Sequence, residues 1–92
     1  MPQVSILVPV FNEAASVETI LRKVAASPFE KEVLVVDDGS TDGTAAILER
    51  LERELPIQVV THPVNLGKGQ AVRSALAHAT GTFCLIQDAD LE

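Results

Sequence analysis

The chain has 92 residues, a formal charge of −6 from 7 Lys+Arg against 13 Asp+Glu, and 47% hydrophobic residues. That length allows one small domain with a real core, and an acidic balance without a basic cluster argues against binding a nucleic-acid backbone or an anionic membrane surface. No run approaches the roughly 18 apolar residues of a bilayer span. No charged region precedes the first strand as a secretory leader would require, and the lone Cys84 permits no internal disulfide, so a reducing, cytoplasmic setting is expected.

Val4-Ser5-Ile6-Leu7-Val8-Pro9-Val10 is short and nearly all apolar, the pattern of a parallel strand covered on both faces. Asn12 is placed to cap the helix that follows, in which Val17, Ile20, Leu21 and Val24 form one apolar stripe. Ser27-Pro28 ends it. The stretch from Glu32 to Asp37 predicts a second buried strand. Asp38-Gly39-Ser40-Thr41-Asp42-Gly43 is turn and capping chemistry, with Gly39 at positive φ and Ser40 or Asp42 as cap. Thr44, Ile47, Leu48, Leu51 and Leu55 make a second helical stripe, closed by Pro56. Ile57 to Thr61 is more polar, which suits an edge strand, and His62 to Leu66 reads as loop. Gly67-Lys68-Gly69 opens a third helix with Val72, Ala75, Leu76 and Ala79 inward and Gly81 at its C′ position. Thr82 to Ile86 reads as a fourth buried strand, with Cys84 as a small buried apolar residue.

Strict alternation of strand and helix predicts an α/β fold: a three-layer, Rossmann-like parallel sheet of four strands with helices on both faces. The expected strand order is 3-2-1-4. Ligands in such sheets bind beyond the carboxyl ends of the strands, at the switch point. Asn12-Glu13, Asp37-Asp38 and Asp88-Ala89-Asp90 each follow a carboxyl end, so three polar clusters share one rim.

In an extended segment Asp88, Asp90 and Glu92 lie on one side. Close carboxylates repel unless protonated or bridged by a cation, and hard oxygen ligands suit Mg²⁺ or Mn²⁺. A solvated acidic segment fits the same letters. Asp37-Asp38 is either local turn structure or a carboxylate that accepts ring N–H groups of a nucleobase. Gly67-Lys68-Gly69 is either a plain loop or a helix start that holds phosphate, with Lys68 as countercharge. His62 and His78 are read as bystanders. A dinucleotide fingerprint is missing, since Pro9-Val10-Phe11-Asn12-Glu13 stands where G-x-G-x-x-G is required. A receiver-like phosphoacceptor lacks its acidic pair after the first strand.

Val8 to Glu13, Val35 to Thr44, Asn65 to Ala71 and Asp88-Ala89-Asp90 together resemble family 2 glycosyltransferases of the GT-A fold, in order and over the whole chain. The Asp-Ala-Asp-Leu ending is most similar to the branch of dolichyl- and polyprenyl-phosphate sugar synthases. The resemblance implies a UDP- or GDP-linked sugar donor, a divalent Mg or Mn cation, and inverting transfer to an acceptor for which a lipid phosphate is the candidate. It matches Pro9, Phe11 and Glu13 to the nucleoside loop, and Val36 and Asp38 to base binding, with Asp37 structural. It matches Asp88, Ala89 and Asp90 to the Asp-x-Asp motif, and Glu92 to a position where that branch often has Gln. An acceptor site and a base normally follow that motif, so residues 1–92 are expected to be the donor-binding domain of a longer enzyme, inactive alone. Competing readings are a sugar-nucleotidyltransferase-like domain, which would carry a Gly-rich basic loop after the first strand, and a non-catalytic folded fragment. An apolar fourth strand at the sheet edge also predicts self-association through that edge.

Overall fold

The structure, a computed structural model, describes residues 3–28 and 30–89. In chain order the elements are β1 (Val4–Val10), α1 (Val17–Ala26), β2 (Lys31–Asp38), α2 (Thr44–Glu54), β3 (Ile57–His62), α3 (Lys68–His78) and β4 (Phe83–Ile86). The strands form one sheet in the order β3-β2-β1-β4, every pair parallel. The expected α/β architecture and strand order are both found.

Alternation along the two central strands builds the three layers. Ile6, Val8 and Val10 of β1 and Val33 and Val35 of β2 meet Val17 and Leu21 of α1 and Leu48 and Leu51 of α2. The intervening Leu7, Leu34 and Val36 meet Ala71 and Ala75 of α3 on the opposite face. Each fully buried aliphatic side chain contributes roughly 1.5–3 kcal/mol, so these two clusters dominate stability. A surface quartet of Glu18, Arg22, Arg50 and Glu54 joins α1 to α2. Hydrogen bonds from Arg50 and Arg22 lower the Glu18 carboxyl to about 2. These groups are solvated and screened, so they orient the helices more than they hold them.

Several local expectations need correction. Asn12 does not cap α1, whose N-cap is Ser16; it sits at φ 53° and bonds across to the β2–α2 loop instead. β2 runs one residue further than expected, through Asp38, and β3 includes His62. On α3 the buried residues are Ala71 and Ala75, while Leu76 is exposed. Helical rotation places residues 71, 75 and 79 on one stripe, and small side chains there let the helix sit close to the sheet. Gly81 is not a helix C′ residue, because α3 ends at His78 with Ala79 extended. Its role is close approach: a Cβ at Gly81 would lie 2.7 Å from Ser5 Oγ and 2.8 Å from Ser5 N.

Thr82 falls outside β4, and all four β4 residues are exposed, Cys84 among them. β4 pairs only with β1 in this sheet, and neither core cluster includes any of its residues. Its entry is fixed at the far end of the sheet from the three polar clusters. There Glu32 accepts hydrogen bonds from Ser5 Oγ–H, Thr80 N–H, Thr80 Oγ–H and Gly81 N–H. Burial pushes the Glu32 carboxyl up, but these donors together hold it below its ordinary value. Glu32→Ala leaves those donors without their acceptor. A loss of about 2 kcal/mol in urea unfolding is expected, with Glu32→Gln recovering only part of it.

Candidate functional site

The carboxyl ends of β1 and β2 carry two loops that are laced together. The Asn12 N–H donates to Ser40 Oγ (2.9 Å), and the Thr41 N–H donates to Asn12 Oδ1 (2.7 Å). The Glu13 N–H donates to Thr44 Oγ1 (3.1 Å), and the Ala14 N–H donates to Asp42 Oδ2 (3.3 Å). Thr44 Oγ–H in turn donates to Asp42 Oδ1, which also takes the Thr44 N–H. Asp37 accepts the Ser40 N–H at 3.0 Å, the local turn role expected of it. The Ser/Thr/Asp-rich stretch is therefore mostly a brace that fixes the β1–α1 loop.

Asp38 faces the other way. Pleating puts it on the α3 side with Leu34 and Val36, and it is buried. Oδ1 accepts from His62 Nδ1 and from the Leu66 N–H, both at 2.8 Å. Oδ2 accepts the Gly67 N–H at 2.9 Å. Burial pushes the Asp38 carboxyl up, yet the bonds from His62, Leu66 and Gly67 outweigh it and hold the group below its ordinary value. Gly39, at φ 73°, permits this arrangement, because a Cβ there would lie 2.4 Å from the backbone of Val64 and Asn65.

On the far side of the rim, Ser16 Oγ–H donates to the Ala89 carbonyl at 2.7 Å, in the interior. The Gln87 N–H donates to Leu7 O and extends the β4 pairing. These two bonds direct the chain after β4 toward the β1–α1 loop. Lys68 Nζ, at the start of α3, reaches Asp88 Oδ1 at 2.6 Å. The first turn of α3 has no side-chain cap, and Gly67, Lys68 and Ala71 line the same space.

An open cavity of about 460 Å³ lies between these parts, within the size range of small-molecule sites. It is lined by Pro9, Phe11, Glu13, Asp38, Lys68, Asp88 and Ala89, all singled out from the sequence, and also by Val10, Asn65, Gly67 and Ala71. Val36 is not among the lining residues; its side chain is core, against Leu7 and Ala71. Asp90 and Glu92, expected as metal ligands with Asp88, lie outside the described residues. Among the described residues no group of three or more His, Cys, Asp or Glu is placed to hold a metal ion. His78 stays on the surface against Ser74 O, as expected of a bystander. His62 does not: it is buried between Asp38 and Ser74. Ser16 was not singled out from the sequence either. In neither case does a lone letter reveal a partner brought close only by the fold.

A parallel sheet of order 3-2-1-4 with a polar cavity at the carboxyl ends beside its switch point defines an open α/β domain with its ligand site where such sheets place it. The family model described as glycosyl transferase family 2 matches residues 5–92, and the chain belongs to that family. A dolichyl-phosphate beta-glucosyltransferase of Trichomonas vaginalis is 37% identical over 97 residues, covering 95% of this chain and 30% of the relative. An undecaprenyl-phosphate 4-deoxy-4-formamido-L-arabinose transferase of Sodalis glossinidius is 34% identical over 96 residues, covering 98% and 29%. Among solved structures, a mannosyltransferase from Pyrobaculum calidifontis in complex with GDP-Man and Mn²⁺ superposes with a TM-score of 0.89 at 37% identity, over 97% of this chain and 28% of that one. S. aureus TarS 1–349 in complex with UDP gives 0.86 at 35%, over 98% and 28%. The chain thus spans about 30% of the length of the relatives it matches.

Asp38 ties stability to pH with a definite sign. Its carboxyl is lowered from 3.8 by folding, so its contribution is present above that value and lost as pH falls through the folded value. In urea unfolding, Asp38→Asn should cost about 2 kcal/mol at pH 7, and its deficit relative to the parent should shrink steadily below about pH 4.

Proposed function

We propose that the cavity binds the nucleotide part of a UDP- or GDP-sugar and that the whole protein transfers the sugar to an acceptor with inversion. One observation carries this reading: seven residues singled out for donor binding, from four separate stretches of sequence, line a single cavity. The identity to transferases that act on dolichyl and undecaprenyl phosphate supports a polyprenyl phosphate acceptor. Residues 1–92 then act as the donor-binding domain of a longer enzyme working at the cytoplasmic side. No helix among the described residues is long and apolar enough to cross a membrane.

In this reading Pro9, Phe11 and Glu13 contact the nucleoside. Phe11 is exposed at the cavity and offers an apolar face for the base. Asp38 accepts a ring N–H of the base. Lys68 and the uncapped start of α3 face the diphosphate. Asp88 presents an exposed carboxylate to the cavity, a hard oxygen ligand of the kind that suits Mg²⁺ or Mn²⁺, and its neighbour Ala89 is held by Ser16. Asp88, Asp90 and Glu92 would hold the ion, which when bound neutralises charge on the departing nucleoside diphosphate. Lys68 already supplies one positive charge there. When the donor enters, its ammonium passes from Asp88 to a phosphate oxygen.

Titration calorimetry with UDP- and GDP-sugars, with and without Mn²⁺, tests the reading. Binding is expected with at least one of them, stronger with the metal. Asp88→Ala and Asp90→Ala should each weaken metal-dependent binding by about tenfold or more; parent-like affinity in either variant removes that residue from the site.

The β4 edge, unpaired on its outer side among the described residues and with Phe83, Leu85 and Ile86 each more than half exposed, is proposed to pair with a second copy of the chain. Sedimentation velocity should show a concentration-dependent dimer that Leu85→Lys abolishes. A monomer throughout the concentration range would refute it.

A further inference from the structure

Three polar side chains run in line through the α3 side of the sheet. His62 Nδ1 lies 2.8 Å from Asp38 Oδ1, and His62 Nε2 lies 2.7 Å from Ser74 Oγ. A carboxylate only accepts, so Nδ1 carries a proton toward Asp38, and Nε2 shares the second hydrogen bond with the Ser74 hydroxyl. Both ring nitrogens and the carboxylate are thereby fixed in place. His62 is the only described residue bonded to Asp38 through a side-chain ring.

We propose that His62, anchored by Ser74, makes Asp38 a single-acceptor reader of the base, so that the cavity prefers uridine over guanosine diphosphate sugars. This deepens the donor-site reading above and rests on it. An ionised carboxylate offers about four acceptor positions. At Asp38, His62 and Leu66 take two on Oδ1, and Gly67 takes one on Oδ2. One position on Oδ2 remains. Uracil presents a single ring N–H between two carbonyls, which matches it. Guanine presents a ring N–H and an adjacent amino N–H, a pair that a free carboxylate takes with both oxygens. With Oδ1 filled, the second guanine donor meets a saturated oxygen and is left unpaired on desolvation, which is costly. Cytosine turns a ring acceptor toward the carboxylate, and two acceptors repel.

His62 is a positioning residue here, since it acts through Asp38. The test is titration calorimetry of the chain with Mn²⁺ and three ligands: UDP, GDP and 3-methyl-UDP, which lacks the ring N–H. UDP is expected to bind about tenfold or more tightly than either of the others. His62→Leu opens Oδ1 and should bring UDP and GDP to within about threefold of each other. His62→Asn, whose amide N–H can still donate to Oδ1, should restore the preference. A purely structural role for His62 would weaken both nucleotides equally, and an unchanged UDP/GDP ratio in His62→Leu overturns its assignment. GDP or 3-methyl-UDP binding as well as UDP to the parent overturns the single-acceptor reading while leaving the donor site standing. If neither UDP nor GDP binds, the donor-site reading falls and this one with it.

Discussion

The Asp38 carboxylate is buried, and a buried charge survives only where donors converge on it. That requirement organises one whole side of the molecule. His62 must end β3 opposite Asp38, which fixes the β2–β3 register. Leu66 and Gly67 must turn their N–H groups inward, which sets where α3 begins. Gly39 must lack a side chain so that the Val64–Asn65 backbone can approach. The apolar contacts of Ala71 and Ala75 then seat α3 on the sheet. Packing supplies most of the stabilisation, and the carboxylate decides which packing is allowed.

The two halves of the cavity wall are built on different principles. On the Asp38 side, donors from two segments share one acceptor. On the opposite side, the β1–α1 loop hangs on short side chains of the β2–α2 loop, and Ser16 at the start of α1 holds the Ala89 carbonyl. The loop bearing Phe11 and Glu13 is therefore tied at both ends. Preorganisation of this kind reduces the ordering cost of binding. Lys68 and Asp88 close the rim with an exposed ion pair, the weakest of these links and the one a phosphate can most readily exchange.

The layer order, the strand order and most of the cavity wall were legible in the sequence, because they follow from apolar periodicity and from polar clusters at strand ends. Val33 to Val36 read as a doubly covered strand and is one. What was misread depended on partners distant in sequence. Cys84 lies in an apolar run and looks buried, yet burial needs a layer above it, and none of the described residues supplies one. Leu76 was placed inward because leucine usually is, but the helix turns its alanines to the sheet. Gly81 follows a helix as a C′ glycine would, while its actual constraint is Ser5 on another strand. Asn12 has the chemistry of a cap and uses it on a neighbouring loop.

β4 joins the sheet last in sequence and pairs with the strand that begins the chain, Val4 opposite Phe83. Closing a loop that long is slow and entropically unfavourable until the intervening elements have folded. Four exposed residues hold it there, extended by the Gln87 N–H bond to Leu7 O, together with the Glu32 and Ser16 anchors at its two ends. Asp88 is therefore delivered by the part of the sheet with the least packing of its own. Local opening there costs less than global unfolding, so amide exchange in β4 marks the competence of the site separately from the stability of the domain.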